Sequence, residues 1–377
     1  MGVVPINSVN SAPINLKISD DSVFVPVINI TKNTDLANYS LSGNGTESNP
    51  FILNNFNLVC SLSVQYSTGI SIQNTTDFFI LDNFTIQDCY IGIYFHQVHH
   101  ALVRDSDIKN ANTGFYAVSS SDLTINNSIV QNCGVNGFLF SSISDLILQN
   151  SLVDSGSFGF DFNSLYHANV VNNSVSNHGY SGFIFRYSYY VNLSYNFASA
   201  LEGFHLLECY HLILKNNTAL NNSGSGFYLY YSFYNNLTNN KVYNGHGDGF
   251  RISHSSSNNL IGNEASNNTD YGFYLDSSNF NLLINNTSLN NKKGNFHSYN
   301  SKNNVLKHNS FSYNNTLSLF IDLVIIVTII VLVFGAVIKR EFNHYQLEDD
   351  EYKNETTFLT HLKMKFSSKL KSIKEKL

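Results

Sequence analysis

One phrase recurs through most of this chain: a glycine, an aromatic or aliphatic residue, then a strand-like alternation. It reads Gly69-Ile70-Ser71-Ile72, Gly92-Ile93-Tyr94-Phe95, Gly114-Phe115-Tyr116-Ala117 and Gly137-Phe138-Leu139-Phe140. It continues at Gly159, Gly182, Gly203, Gly226, Gly249 and Gly272, with a degenerate copy at Gly294. Successive glycines stand about 21–23 residues apart, a fixed period that points to stacked equivalent units and away from a globular core.

A second phrase follows at nearly constant offset, as in Asp122-Leu123-Thr124-Ile125-Asn126-Asn127 and His211-Leu212-Ile213-Leu214-Lys215-Asn216-Asn217. It closes on asparagine at Asn83, Asn127, Asn150, Asn173, Asn196, Asn217, Asn240, Asn263, Asn286 and Asn309. Asparagine tolerates a left-handed backbone, and its amide can bond the same amide one unit above and below. Each unit therefore reads as short strands of period two separated by Gly- and Asn-bearing bends. Stacking puts Phe115, Phe138, Phe160, Phe183, Phe204, Phe227, Phe250 and Phe273 into one inward column. A single unit buries too little to hold itself, so neighbours must share ladder hydrogen bonds and stacking.

On these repeats the chain resembles right-handed parallel β-helices of the pectin-lyase-like class, and in particular the NosD-like repeat domains. The expected fold is an all-β solenoid of about eleven coils over residues 43–315. The turn Ser42-Gly43-Asn44-Gly45 running into Pro50-Phe51 is similar to the entry motif of such domains. Residues 13–60 are expected to cap the open end, residues 1–42 being an N-terminal segment and cap. Met1–Ala12 reads either as the tail of a secretion signal or as an ordinary terminus.

Charged residues make up 13% of the chain, against ~25% in ordinary soluble proteins. The net charge of −6 and the lack of a basic patch before the C-terminus argue against nucleic acid as a partner. Cys60, Cys89, Cys133 and Cys209 show no C-x-x-C spacing, and Cys89 and Cys133 would lie two coils apart. That is about 10 Å, too far to bridge, so all four are expected to be small buried hydrophobes.

Residues 317–338 form the one long apolar run, about 22 residues and enough to cross a ~30 Å hydrocarbon core. Lys339 and Arg340 follow at once, which predicts a single-pass plasma-membrane protein with its β-helix outside and its C-terminus, residues 339–377, in the cytoplasm. In that tail, Leu359, Leu362, Phe366, Leu370, Ile373 and Leu377 recur among lysines. Residues 358–377 are thus expected to form a basic amphipathic helix for inner-leaflet lipid or a cytoplasmic partner. N-x-S/T triplets, Asn74, Asn83, Asn126, Asn216 and Asn236 among them, arise readily in such a repeat and single out no glycosylation site.

Three constellations could carry chemistry. Gly245-His246-Gly247 with Arg251-Ile252 resembles polygalacturonase elements, but Ser253 replaces the lysine and the accompanying aspartates are missing, so it reads as repeat grammar. His96, His99 and His100 could ligate copper or zinc, and the NosD resemblance points to metal, yet no nearby Cys or Met gives a soft copper site. Calcium is the other cofactor weighed, and none is assigned. The column Asp77, His100, Asp122, Asp145, His167, Tyr190, His211 and Tyr234 more simply suggests stacked polar partners on one bend.

The third is the outward face of the Gly-Phe strands. Tyr94, Tyr116, Asp161, His205, Tyr228, Arg251 and Tyr274 alternate with the inward rings, and His96, Asn163, Arg186, Tyr230 and Asp276 form the next column. Aromatic faces interleaved with Arg and carboxamides suit an extracellular glycan, through CH–π platforms and hydrogen bonds, while tyrosine is also simply a good strand residue. The expected role is non-catalytic recognition or envelope scaffolding. The alternatives are a polysaccharide lyase, hydrolase or epimerase, or copper handling in the NosD manner. For catalysis, Asp161, Glu202, Glu208 and Asp276 are spread over many coils, with Asp161 and Glu208 the pair expected to approach across Ile184.

Overall fold

The computed structural model describes residues 14–17, 26–60 and 66–312. The expected membrane span and basic tail helix lie outside the described residues. Among the described residues no helix is long and apolar enough to cross a membrane. Among the described residues thirty strands, from Ile14–Lys17 to Ser310–Ser312, pair in parallel from one coil to the next and wind a parallel β-helix of about eleven coils. One seven-residue helix, α1 (Asn33–Tyr39), lies near the N-terminal end, where the Asn33 side chain bonds Thr76 and Asp77.

Each late coil carries three strands on three faces, for example Phe227–Tyr230, Asn236–Thr238 and Lys241–Tyr243. Pairing is in step: Phe227 faces Phe250 and Phe250 faces Phe273. The inward rings from Phe138 to Phe273 stack face to face, with centroids 4.6–5.1 Å apart and planes within 15°. The repeat glycines are required by space. A Cβ on Gly203 would come within 2.6 Å of the Gly226 carbonyl oxygen and 2.9 Å of Ala219 Cβ, so the first face can approach the third only without a side chain there.

The expected asparagine bend divides into two neighbouring columns. Asn127, Asn150, Asn172, Asn216, Asn239 and Asn285 take left-handed backbones, with φ between 50° and 56°. The next residue points inward: Ser106, Ser128 and Ser151 in early coils, then Asn173, Asn196, Asn217, Asn240, Asn263 and Asn286, all buried. Asn240 shows the bonding: its backbone N–H and its Nδ2 both donate to Asn263 Oδ1, its Nδ2 also donates to the Leu214 carbonyl, and its own Oδ1 accepts from Asn217. A second interior ladder runs through Asn235, Asn258 and Asn281, and a third of serines through Ser232, Ser255 and Ser278. Bend amides buried away from water are thereby satisfied.

The cysteine reading needs correction. Cys60 and Cys89 form a disulfide with Cα atoms 4.9 Å apart, because the first coil is longer and brings them onto adjacent rungs, where Phe51 faces Phe79. Cys133 and Cys209 are the free, buried thiols, and burial pushes both up to about 12.

Asn240→Ala strips partners from Asn217, Leu214 and Asn263 and should cost about 3 kcal/mol in denaturant unfolding; an unchanged midpoint would disprove the ladder's role. In thiol titration the native protein should show no reactive cysteine, and two should appear on unfolding without reductant.

Candidate functional site

The outward face of the first strands gathers the expected residues as two adjacent columns. Cross-coil pairing runs Tyr94, Tyr116, Leu139, Asp161, Ile184, His205, Tyr228, Arg251, Tyr274 and His297. The second column runs His96, Val118, Ser141, Asn163, Arg186, Leu207, Tyr230, Ser253, Asp276 and Tyr299 along the same pairings. Leu139 and Ile184 interrupt the first column. Tyr94, Tyr116 and His96 therefore form one group, and His205 to His297 another several coils away.

The rings do not present their faces outward as a CH–π platform requires. His205 stacks on Tyr228 at 4.8 Å, Arg251 sits 5.3 Å from the Tyr228 ring and 5.7 Å from the Tyr274 ring, and His297 follows Tyr274 at 5.5 Å. Each ring lies against its neighbour one coil away, because rungs in step at about 4.8 Å match the thickness of an aromatic stack. What faces outward is ring edges and phenol hydroxyls, a surface made for hydrogen bonding.

Between the two groups, Asp161 is nearly buried and ion-paired with Arg186, which also lies 5.9 Å over the Phe158 ring. Burial pushes the Asp161 carboxyl up, and the guanidinium pulls it part of the way back. Asn163 accepts a hydrogen bond from Ser164, and Asp276 accepts one from Ser277. Glu202, not Glu208, is the carboxylate brought into this face: its Oε2 lies 2.8 Å from His205 Nδ1, while His205 Nε2 is buried without a partner among the described residues. A register shift between His178 and Ser181 lets Glu202 reach that position.

Glu202 shares its place with residues the sequence reading passed over, the ones directly before each repeat glycine. Asp248 stands before Gly249, is nearly buried, and accepts a hydrogen bond from the Tyr271 N–H. Burial raises its carboxyl, while that N–H and Arg251 lower it. Lys293, before Gly294, pairs with Asp270 at 2.8 Å. The signal was a strand-entry position turning acidic at 202 and 248, where no other coil carries a carboxylate.

The three histidines do not fit copper. His96 stacks on Tyr94 on the outward face, whereas His99 bonds Ser121 and His100 bonds Asp122, each at 2.6 Å, on the bend beyond. Among the described residues no group of three or more His, Cys, Asp or Glu side chains is placed to hold a metal ion. His100 instead stacks on Phe78 at 4.2 Å, and His167, Tyr190, His211 and Tyr234 continue the bend column ring on ring. The column begins at Phe78 rather than Asp77, whose carboxylate holds Asn33 beside α1.

A solenoid of in-step parallel strands with a polar, aromatic-laddered outer face defines a parallel β-helix protein. A family model described as periplasmic copper-binding protein (NosD) matches residues 14–196, 159–295 and 252–323, and the chain belongs to that family. No curated protein sequence matches it. Among solved structures it is similar to a mutant of the periplasmic alginate epimerase AlgG, with TM-score 0.57, 13% identity, and 78% of this chain and 85% of that chain covered. It is also similar to the A-module of the Azotobacter vinelandii mannuronan C-5 epimerase AlgE4, with TM-score 0.52, 11% identity, and 76% and 96% covered. At such identities the likeness is one of fold.

Arg186→Leu should destabilise the protein by about 3 kcal/mol at neutral pH, since it leaves Asp161 buried and unpaired. Asp161 would then bind its proton more tightly folded than unfolded, so stability falls as pH rises; the deficit should shrink at pH 4 and persist at pH 7. Equilibrium copper titration of His99→Ala and His100→Ala should match the parent, and a lost site in either would reinstate the histidine cluster.

Proposed function

We propose that the β-helix is an extracytoplasmic polysaccharide-recognition module that uses the outward face from His205 to His297. The observation that carries this reading is the continuous His205–Tyr228–Arg251–Tyr274–His297 stack, whose edges carry the Tyr228 and Tyr274 hydroxyls and the Arg251 guanidinium on successive coils. An extended sugar chain advances by about one residue per 4.8 Å coil, so its hydroxyls meet the same column repeatedly. Structures of the same fold whose names specify alginate or mannuronan epimerases support a polysaccharide along this surface. The Cys60–Cys89 disulfide and the family's periplasmic description support an oxidising compartment outside the cytoplasm. Residues 317–338 would anchor the module in the membrane, with the basic tail inside.

A catalytic reading is favoured by one feature, the Glu202–His205 pair set beside the Tyr228 phenol. It would belong to the lyase or epimerase class, in which a side chain removes a proton next to a sugar carboxylate.

Tyr228→Ala and Tyr274→Ala should each weaken polysaccharide binding at least about tenfold, as loss of a stacked binding residue does. Tyr190→Ala and Tyr234→Ala, on the bend, should leave it unchanged. Glycan-array binding and calorimetry provide the measurement, and sensitivity at the bend alone would relocate the binding face. Product analysis with uronic-acid polymers checks the catalytic reading, which requires turnover that Glu202→Gln abolishes.

A further inference from the structure

Arg251 is out of keeping with the other described arginines. Arg104 pairs with Asp82 and Arg186 with Asp161, but Arg251 meets no carboxylate within 4.0 Å and donates no hydrogen bond to any described residue. Its Nε is buried without an acceptor, and the side chain is half-buried at the centre of the outward face. Leaving that buried N–H unmet is costly, and the terminal N–H groups have no protein acceptor among the described residues.

The surroundings hold the group in place without satisfying it. The Tyr228 ring lies 5.3 Å away on one side and the Tyr274 ring 5.7 Å away on the other, so the charge is held between rings of the two neighbouring coils. Asp248 and Asp276 both lie near enough to act on Tyr274 electrostatically, and Asp248 on Arg251 as well. Both are otherwise engaged, Asp248 with the Tyr271 N–H and Asp276 with the Ser277 hydroxyl. A guanidinium held between two rings with no carboxylate of its own is a planar fork that a carboxylate can satisfy with two parallel hydrogen bonds.

We infer that Arg251, clamped between Tyr228 and Tyr274, is the receptor for the carboxylate of an acidic sugar in a chain lying along this face. The inference rests on the polysaccharide reading above and narrows it from sugars in general to uronate-type polymers. The neighbouring aromatic edges and hydroxyls bind the neutral part of the chain, and Arg251 supplies the discrimination.

The test compares the full chain in binding polygalacturonate and the same polymer with its carboxyl groups reduced to alcohols. The parent should prefer the acidic polymer by about tenfold or more, as charge-assisted bonds to one guanidinium provide. Arg251→Gln should erase the preference, so that the variant binds the acidic and the reduced polymer equally, and Arg251→Lys should recover only part of it. Equal affinity of the parent for both polymers overturns the inference whether or not any variant folds, as does a Gln variant that weakens equally toward both and so keeps the preference. Failure of the parent to bind either polymer overturns the polysaccharide reading itself, and the inference with it.

Discussion

The interior amide ladder is the interaction on which the rest of this protein depends. A coil must turn sharply three times, and each turn buries backbone donors that no strand can satisfy. Asn173, Asn196, Asn217, Asn240, Asn263 and Asn286 accept those donors from one rung and pass their own amides to the next. With the turns satisfied, the strands between them can pair in step, and the phenylalanines can stack ring on ring. The polar ladder and the apolar stack thus specify the same register from two sides of the coil.

That register also decides what the outer face can be. Side chains alternating with the inward phenylalanines are delivered into straight columns at the coil spacing, which is the spacing of stacked aromatic rings. His205, Tyr228, Arg251, Tyr274 and His297 therefore satisfy each other's faces along the column and offer edges across it. A guanidinium is poorly served by such a stack, since a ring face answers its charge and none of its N–H donors.

Much of this was legible in the residues. Period-two alternation after each glycine put every inward phenylalanine and every outward candidate in its column, because strand geometry leaves no other choice once the coil length is known. The amide ladder was read at the right residues in late coils, but the left-handed backbone belongs to the residue before, since Asn216 and Asn217 are chemically alike and only backbone geometry separates the left-handed residue from the buried one. The disulfide was missed because Cys60 and Cys89 stand 29 residues apart, longer than the common period, so their rungs were not counted as adjacent. Ring orientation was beyond reach for a different reason. Side-chain torsions decide whether Tyr228 shows a face or an edge, and sequence spacing carries no torsion. Glu202 reached the face only through a local slip in pairing, which no repeat count reveals.

Near-identical rungs carry a hazard of their own. A chain displaced along itself by one whole repeat would still set phenylalanine on phenylalanine and asparagine on asparagine, with almost nothing to report the error. The crosslink between Cys60 and Cys89 lies at the end where the coil length differs from all the others. It therefore works as an origin mark: once closed, it tells every later rung which number it is.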